Sequence, residues 1–253
     1  SSRSADEKEK IEAKKRAEEE KIAAEKAIKD MISNYKYHNE TYCYDITEGG
    51  NLKILAYIGN PTEILAIPEK IEGLTVTEIQ TFKLAGSIHF QTVIIPKTIK
   101  IINDRAFKTV KIKKLIFANN SQIETIGKWA FYDCDIEELI LPKTKEFYVS
   151  EGSFCRNKLK KISIPKQLQS LFGAWGSFAM NNELEEVIFE EGCESIGKAC
   201  YSYSINLKRI ILPEGLKKIG PGAFKGCSEL DEIVIPEGVE SLEAGAFEGC
   251  SNL

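Results

Sequence analysis

Two histidines, seven cysteines and one Gly-Pro-Gly run are the residues of this 253-residue chain whose types invite a chemical reading. Neither His38 nor His89 lies in a sequence context for a nucleophile or a metal ligand, so no catalytic triad and no zinc centre is expected. The cysteines (Cys43, Cys134, Cys155, Cys193, Cys200, Cys227, Cys250) are odd in number and contain no Cys-x-x-Cys pair. That argues against a disulfide framework or a zinc ribbon and for buried thiols acting as small apolar fillers, as suits a cytosol or an exported protein in an anaerobic setting. Gly220-Pro221-Gly222 lacks both the G-x-G-x-x-G frame and a following amphipathic helix, so it reads as turn chemistry and not as a phosphate loop. Asn39-Glu40-Thr41 and Asn119-Asn120-Ser121 match the glycosylation pattern only weakly. Expected chemistry is therefore recognition by contact, with no catalytic residue, no metal and no cofactor.

The contact residues come from a short motif, L-x-x-I-x-I-P, that recurs along the chain. Its apolar core ends in proline at VIIP (93–96), LILP (139–142), ISIP (162–165), IILP (210–213) and IVIP (233–236), and reads LIFA (115–118) and VIFE (187–190) where the proline is missing. Side chains alternate in an extended chain, so the two isoleucine-type positions face a core and the residue between them faces out. Proline ends pairing and keeps each strand to three or four residues. The outward column is Ile94, Ile116, Ile140, Ser163, Ile188, Ile211 and Val234. Beside it run charge pairs whose sign alternates at every step: Lys113-Lys114, Glu137-Glu138, Lys160-Lys161, Glu185-Glu186, Lys208-Arg209 and Asp231-Glu232. Stacked about 4.8 Å apart, these rows pin the register of a parallel sheet. The candidate ligand-binding residues are the apolar column together with Lys114, Glu138, Lys161, Glu186, Arg209 and Glu232. β-Branched residues also suit a parallel ladder for its own sake, so the column admits a purely structural reading.

What must position these side chains is a coil of about 23 residues. An aromatic or leucine slot recurs at Leu84, Phe107, Phe131, Phe154, Phe178, Tyr201, Phe224 and Phe247, with gaps of 23, 24, 23, 24, 23, 23 and 23. One such coil cannot bury its apolar side, whereas stacked coils can, so the fold class is mainly β: a solenoid of about eight coils with one short parallel strand each. The rings plug the core opposite the strands, and Cys134, Cys227 and Cys250, three residues after them, share a further buried slot.

The units LPEGLKKIGPGAFKGCSEL (212–230) and IPEGVESLEAGAFEGCSNL (235–253) resemble the BspA-like leucine-rich repeat found in large surface proteins of gut and oral bacteria and of some parasitic protists. The resemblance covers about residues 40 to 253, loosening around Leu171 to Trp175 and Ala199 to Tyr201. It implies a leucine-rich-repeat solenoid at the cell surface or secreted, with the cytoplasm as the alternative, used for adhesion to a protein or glycan, including a host-derived one. The competing function is a structural spacer with no ligand of its own.

Three segments follow: residues 1–34, a charged helical spacer; 35–84, an N-terminal cap with a β-hairpin; and 85–253, the repeat array. The first holds nine basic and nine acidic residues, so the net charge of −4 resides in the rest of the chain. Its apolar stripe is too thin for a long coiled coil. Within the second, Tyr42 to Ile46 and Leu52 to Tyr57 alternate around Glu48-Gly49-Gly50-Asn51, as in a hairpin. With Lys+Arg at 34 against Asp+Glu at 38, no global field draws the chain onto nucleic acid, and no apolar run is long enough to insert in a membrane.

Overall fold

The computed structural model describes residues 2–84, 88–170 and 176–253. The loosened repeat at Leu171 to Trp175 lies outside the described residues. Helix Ser2–Ile32 leads in. From Glu12 to Ala23 its side chains are exposed, and its last turn docks, with Ile28, Met31 and Ile32, followed by Tyr35, against Cys43, Ala56 and Ile58. The hairpin then forms at the expected residues, Tyr42–Ile46 pairing antiparallel with Leu52–Tyr57.

From there the chain winds into a solenoid whose coils each have three sides. The first is the strand of the L-x-x-I-x-I motif: Ile64–Ala66, His89–Ile95, Lys111–Phe117, Glu138–Ile140, Lys161–Ile164, Glu186–Phe189 and Arg209–Ile211, all parallel. His89–Ile95 and Lys111–Phe117 run to seven residues, longer than the three or four expected, because pairing extends backwards through His89↔Lys111 and Phe90↔Ile112.

In addition to that strand, each coil adds a second, shorter parallel ladder. It passes through Leu74–Leu84, Ile101–Ile102, Thr125–Ile126, Phe147–Val149 and Leu168–Ser170, and resumes through Ser195–Ile196, Lys218–Ile219 and Ser241–Leu242. The hairpin caps this second ladder, since Leu52–Tyr57 pairs with Leu74–Leu84. Its outermost member, Tyr37–His38, is only two residues long, which leaves little open edge for another chain to pair with.

The third side is the turn that carries the ring. Here the N–H groups of Arg105, Phe107 and Thr109 donate to the carbonyls of Lys128, Ala130 and Tyr132 in the next coil, and Trp129, Phe131 and Asp133 repeat the pattern onto Glu151, Ser153 and Cys155. From Phe107 onward, residues two before and two after each ring have positive φ, as at Arg105 and Thr109, Trp129 and Asp133, Gly152 and Arg156, Gly222 and Gly226, and Gly245 and Gly249. This explains the glycines of Gly222-Ala223-Phe224-Lys225-Gly226, since glycine reaches that region without a Cβ penalty.

The rings form one continuous column, Tyr57, Phe82, Phe107, Phe131, Phe154, Phe178, Tyr201, Phe224 and Phe247, with neighbouring centroids 4.7–5.8 Å apart. Its first repeat member is Phe82 and not Leu84. The N–H of Phe82 donates to Ala106 O as that of Phe107 does to Ala130 O, so this coil enters its turn two residues earlier than the 23-residue spacing indicates.

Candidate binding face

Local pairing places the outward column in register. Ile94 lies opposite Ile116 and Ile116 opposite Ile140; Ser163 lies opposite Ile188 and Ile188 opposite Ile211. Ile140 is 48% exposed and Ile211 36%, whereas Ile94, Ile116 and Ile188 are half-buried by their neighbours in the ladder. Val234 belongs to no strand and is 73% exposed.

The charge rows meet as the alternation requires at three of their five steps. Lys114 lies 2.6 Å from Glu138 and Lys113 3.6 Å from Glu137; Glu186 is held between Lys161 and Arg209, the latter at 3.3 Å; Lys208 lies 3.9 Å from Glu185. Lys161, Glu186 and Arg209 are thus one stacked row. Glu186→Lys would place three like charges in that row and is expected to lower stability by about 1 kcal/mol at low salt, with the loss shrinking in about 1 M NaCl. Urea denaturation at the two ionic strengths checks this.

Two departures from a single unbroken ladder matter. The strand face divides into a four-stranded and a three-stranded sheet, because Glu138–Ile140 and Lys161–Ile164 do not pair. Correspondingly, Leu139 on the core side is only partly buried while Leu115 and Val187 are fully so, and the rows at Glu137-Glu138 and Lys160-Lys161 make no ion pair among the described residues. The row Asp231-Glu232 likewise forms none with Lys208-Arg209, since its segment lies outside any strand.

Sequence reasoning also missed a polar notch in the column. The Ser163 hydroxyl donates to Glu190 Oε1 at 3.0 Å, and the same oxygen lies 2.5 Å from Lys143 Nζ. Lys143 reaches it across an intervening coil, a contact 47 residues apart that no single-repeat frame reveals. Ile64, 61% exposed, heads the charged column through its pairing with Thr92.

The cysteine slot is more than apolar filling. Cys134 Sγ donates to Phe107 O at 3.0 Å, Cys227 Sγ to Tyr201 O at 3.3 Å and Cys250 Sγ to Phe224 O at 3.2 Å. Asn157 and Asn181 hold the same slot and serve the same carbonyls, at 2.8 Å to Phe131 O and 3.1 Å to Phe154 O. Cys and Asn thus both supply a buried donor in this slot, whereas Val110 fills it with an apolar side chain and the buried Ser204 hydroxyl makes no hydrogen bond.

All seven cysteines are free thiols, six of them buried. Burial pushes Cys200 and Cys227 up to about 12 and Cys155 and Cys193 up to about 11, which leaves little thiolate near neutral pH. Iodoacetamide at pH 8 is therefore expected to modify the half-buried Cys250 first and the others only after unfolding, as peptide mass spectrometry would show.

His38 and His89 are both exposed and sit on different ladders, and among the described residues no group of three or more His, Cys, Asp and Glu side chains could hold a metal ion. Gly220 packs where a Cβ would lie 2.9 Å from Ile196 O of the preceding coil, and Gly222 has φ +62, so both are turn glycines. Among the described residues no helix is long and apolar enough to cross a membrane.

A family model described as BspA type leucine rich repeat region matches residues 77–175 and 174–253, in six copies. Among solved structures, a leucine rich repeat protein of T. pallidum superposes with a TM-score of 0.63 at 22% identity, covering 77% of this chain and 90% of that one. The pneumococcal vaccine antigen PcpA gives a TM-score of 0.40 at 22% identity over 81% of this chain and 76% of its own. A leucine rich cell surface protein from Faecalibacterium prausnitzii gives 0.34 at 16% identity over 86% and 93%. No curated protein sequence matches.

Proposed function

Since the chain belongs to the BspA-type leucine-rich repeat family, we propose that it is a non-catalytic binding module of a cell-surface protein, docking a protein ligand on its strand face. The observation that carries this reading is the outward isoleucine column. It is continuous in register over Ile94, Ile116 and Ile140 and again over Ser163, Ile188 and Ile211, and it presents an apolar column on the order of 30 Å long, interrupted at Ser163, beside rows of charge. Apolar strips rimmed by polar residues mark protein interaction sites, and the charge rows would set orientation more than affinity. Membership of the BspA-type family supports the surface assignment.

The test is adhesion of protein-coated beads to host cells and matrix proteins. Ile188→Thr with Ile211→Thr, combined with the exchange Lys161→Glu and Glu186→Lys, is expected to reduce adhesion at least about tenfold in a variant whose circular dichroism is unchanged. Undiminished adhesion by that folded variant would favour a spacer array and overturn the reading.

A further inference from the structure

Part of the charge on the aromatic turns is arranged unlike charge on the strand face, although Lys128 with Glu151 and Lys225 with Glu248 form ion pairs there too. On the strands, Lys113, Lys114, Lys161, Lys208 and Arg209 each sit beside a carboxylate. On the turns, Arg105, Lys108 and Arg156 form no ion pair among the described residues, and each is held over an aromatic ring. Arg105 Cζ lies 4.8 Å from the Trp129 centroid, Lys108 Nζ 5.4 Å from that of Tyr132, and Arg156 Cζ 6.0 Å from the same Tyr132 ring. A cation over a ring is positioned yet keeps its charge and N–H groups for another partner. The neighbouring acids are largely engaged. Asp135 holds Lys111 and Lys158, Glu151 holds Lys128, and Asp104 accepts from the Lys128 N–H, leaving Asp133 and Glu183 near Arg156 without an ion pair among the described residues.

The ridge leads into an open hollow of about 520 Å³, whose charged lining is Asp133, Asp135, Glu183, Arg156 and Lys158 and whose aromatic plate is Tyr203. Tyr203 lies against Gly226, where a Cβ would come within 2.7 Å of its ring, and is 46% exposed. The glycine thus backs an aromatic plate that remains open to solvent. Backbone strain accompanies these side chains. Arg105, Trp129, Arg156, Met180 and Tyr203 adopt φ of 57, 53, 58, 57 and 58°, where the last two coils carry glycine. Each non-glycine in that region costs about 1–2 kcal/mol, a cost that the turn imposes equally on Thr109, Asp133 and Ala199.

We propose that this turn ridge is a second binding surface, distinct from the strand face, for an acidic polysaccharide. Lys108 and Arg156 receive its carboxylate or sulfate groups, and Tyr203 stacks on the apolar face of a pyranose ring. An acidic peptide would use the cations and leave the glycine-backed ring idle; a charged sugar uses both.

The experiment immobilises the whole chain and compares polygalacturonate and heparin with uncharged dextran and with poly-L-glutamate. The expected result is binding of the two acidic polysaccharides that weakens as NaCl rises from about 50 to about 200 mM, with dextran unbound and poly-L-glutamate bound less tightly. The double variant Lys108→Gln, Arg156→Gln is expected to lose about tenfold or more in affinity, the scale of one or two charge-assisted hydrogen bonds. Tyr203→Ala is expected to weaken binding with Tyr203→Phe restoring it, and Ile188→Thr on the strand face to leave it unchanged, all in variants with unaltered thermal unfolding. Failure of both polysaccharides to bind, or full binding by the double variant, overturns the proposal. Poly-L-glutamate bound as tightly as polygalacturonate with no effect of Tyr203→Ala identifies an acidic-protein surface instead and overturns it as well.

Discussion

Phe131→Ala is expected to destabilise the protein by about 3–5 kcal/mol, read as a lowered urea midpoint. Phe131 is fully buried, and its ring lies 4.9 Å from that of Phe107 and 5.3 Å from that of Phe154 in nearly parallel stacking. Removing it opens a cavity that neither neighbour can close, because each ring is fixed by the turn-ladder hydrogen bonds that tie its coil to the next. In a solenoid, where a coil touches only the coils before and after it, a central gap weakens two interfaces at once. Phe247, only partly buried and stacked on Phe224 alone, gives the comparison. Phe247→Ala should cost roughly half as much or less. Equal losses at the two positions would show that the column does not carry coil-to-coil coupling.

Asn157→Leu should be of similar size, on the order of 4 kcal/mol, although it replaces a polar residue by an apolar one of comparable volume in a buried site. The Asn157 amide is the most connected side chain of the core. Its Oδ1 accepts from the N–H of Cys134 at 3.1 Å and of Ile136 at 3.0 Å, and its Nδ2 donates to Phe131 O at 2.8 Å and Phe154 O at 3.0 Å. Leucine would leave buried backbone donors and acceptors unpaired, at about 1–3 kcal/mol each where no other partner is in reach. Asn157→Cys, which keeps a donor as Cys134 and Cys227 do in the same slot, is expected to lose distinctly less. Denaturation of both variants, with amide exchange at Cys134 and Ile136, would check the account. A leucine variant as stable as the parent would show the bonds to be dispensable.

The coil and the placement of the strand residues were legible because each rests on local, repeated chemistry. Proline after Ile95 and Ile164 limits a strand, alternation puts Ile94 and Ser163 outward, and opposite signs at Lys114 and Glu138 or at Lys161 and Glu186 fix which residue lies above which. The hairpin was legible for the same reason, its turn residues lying between two alternating runs. The second ladder was not. Pairs such as Thr125–Ile126 and Lys218–Ile219 are two residues long, too short for a period of two to declare itself. Phe82 escaped because the first coil departs from the spacing that every later coil obeys. On the binding face, the column was read directly, while the notch of Lys143, Ser163 and Glu190 joins residues from separate coils.

Sequence alone determined the period, the register and the side to which each strand residue points, since these depend on repeated spacing and on which charges can lie beside one another. Only the tertiary structure decided where the strand ladder parts between Ile140 and Ser163, that Cys134 and Asn157 do the same work, and that Arg105, Lys108 and Arg156 stand over rings without carboxylate partners. Those outcomes turn on ångström distances between side chains about 23 residues or more apart in the chain. Such distances are set when the coils pack on one another, not by the residues within any one of them.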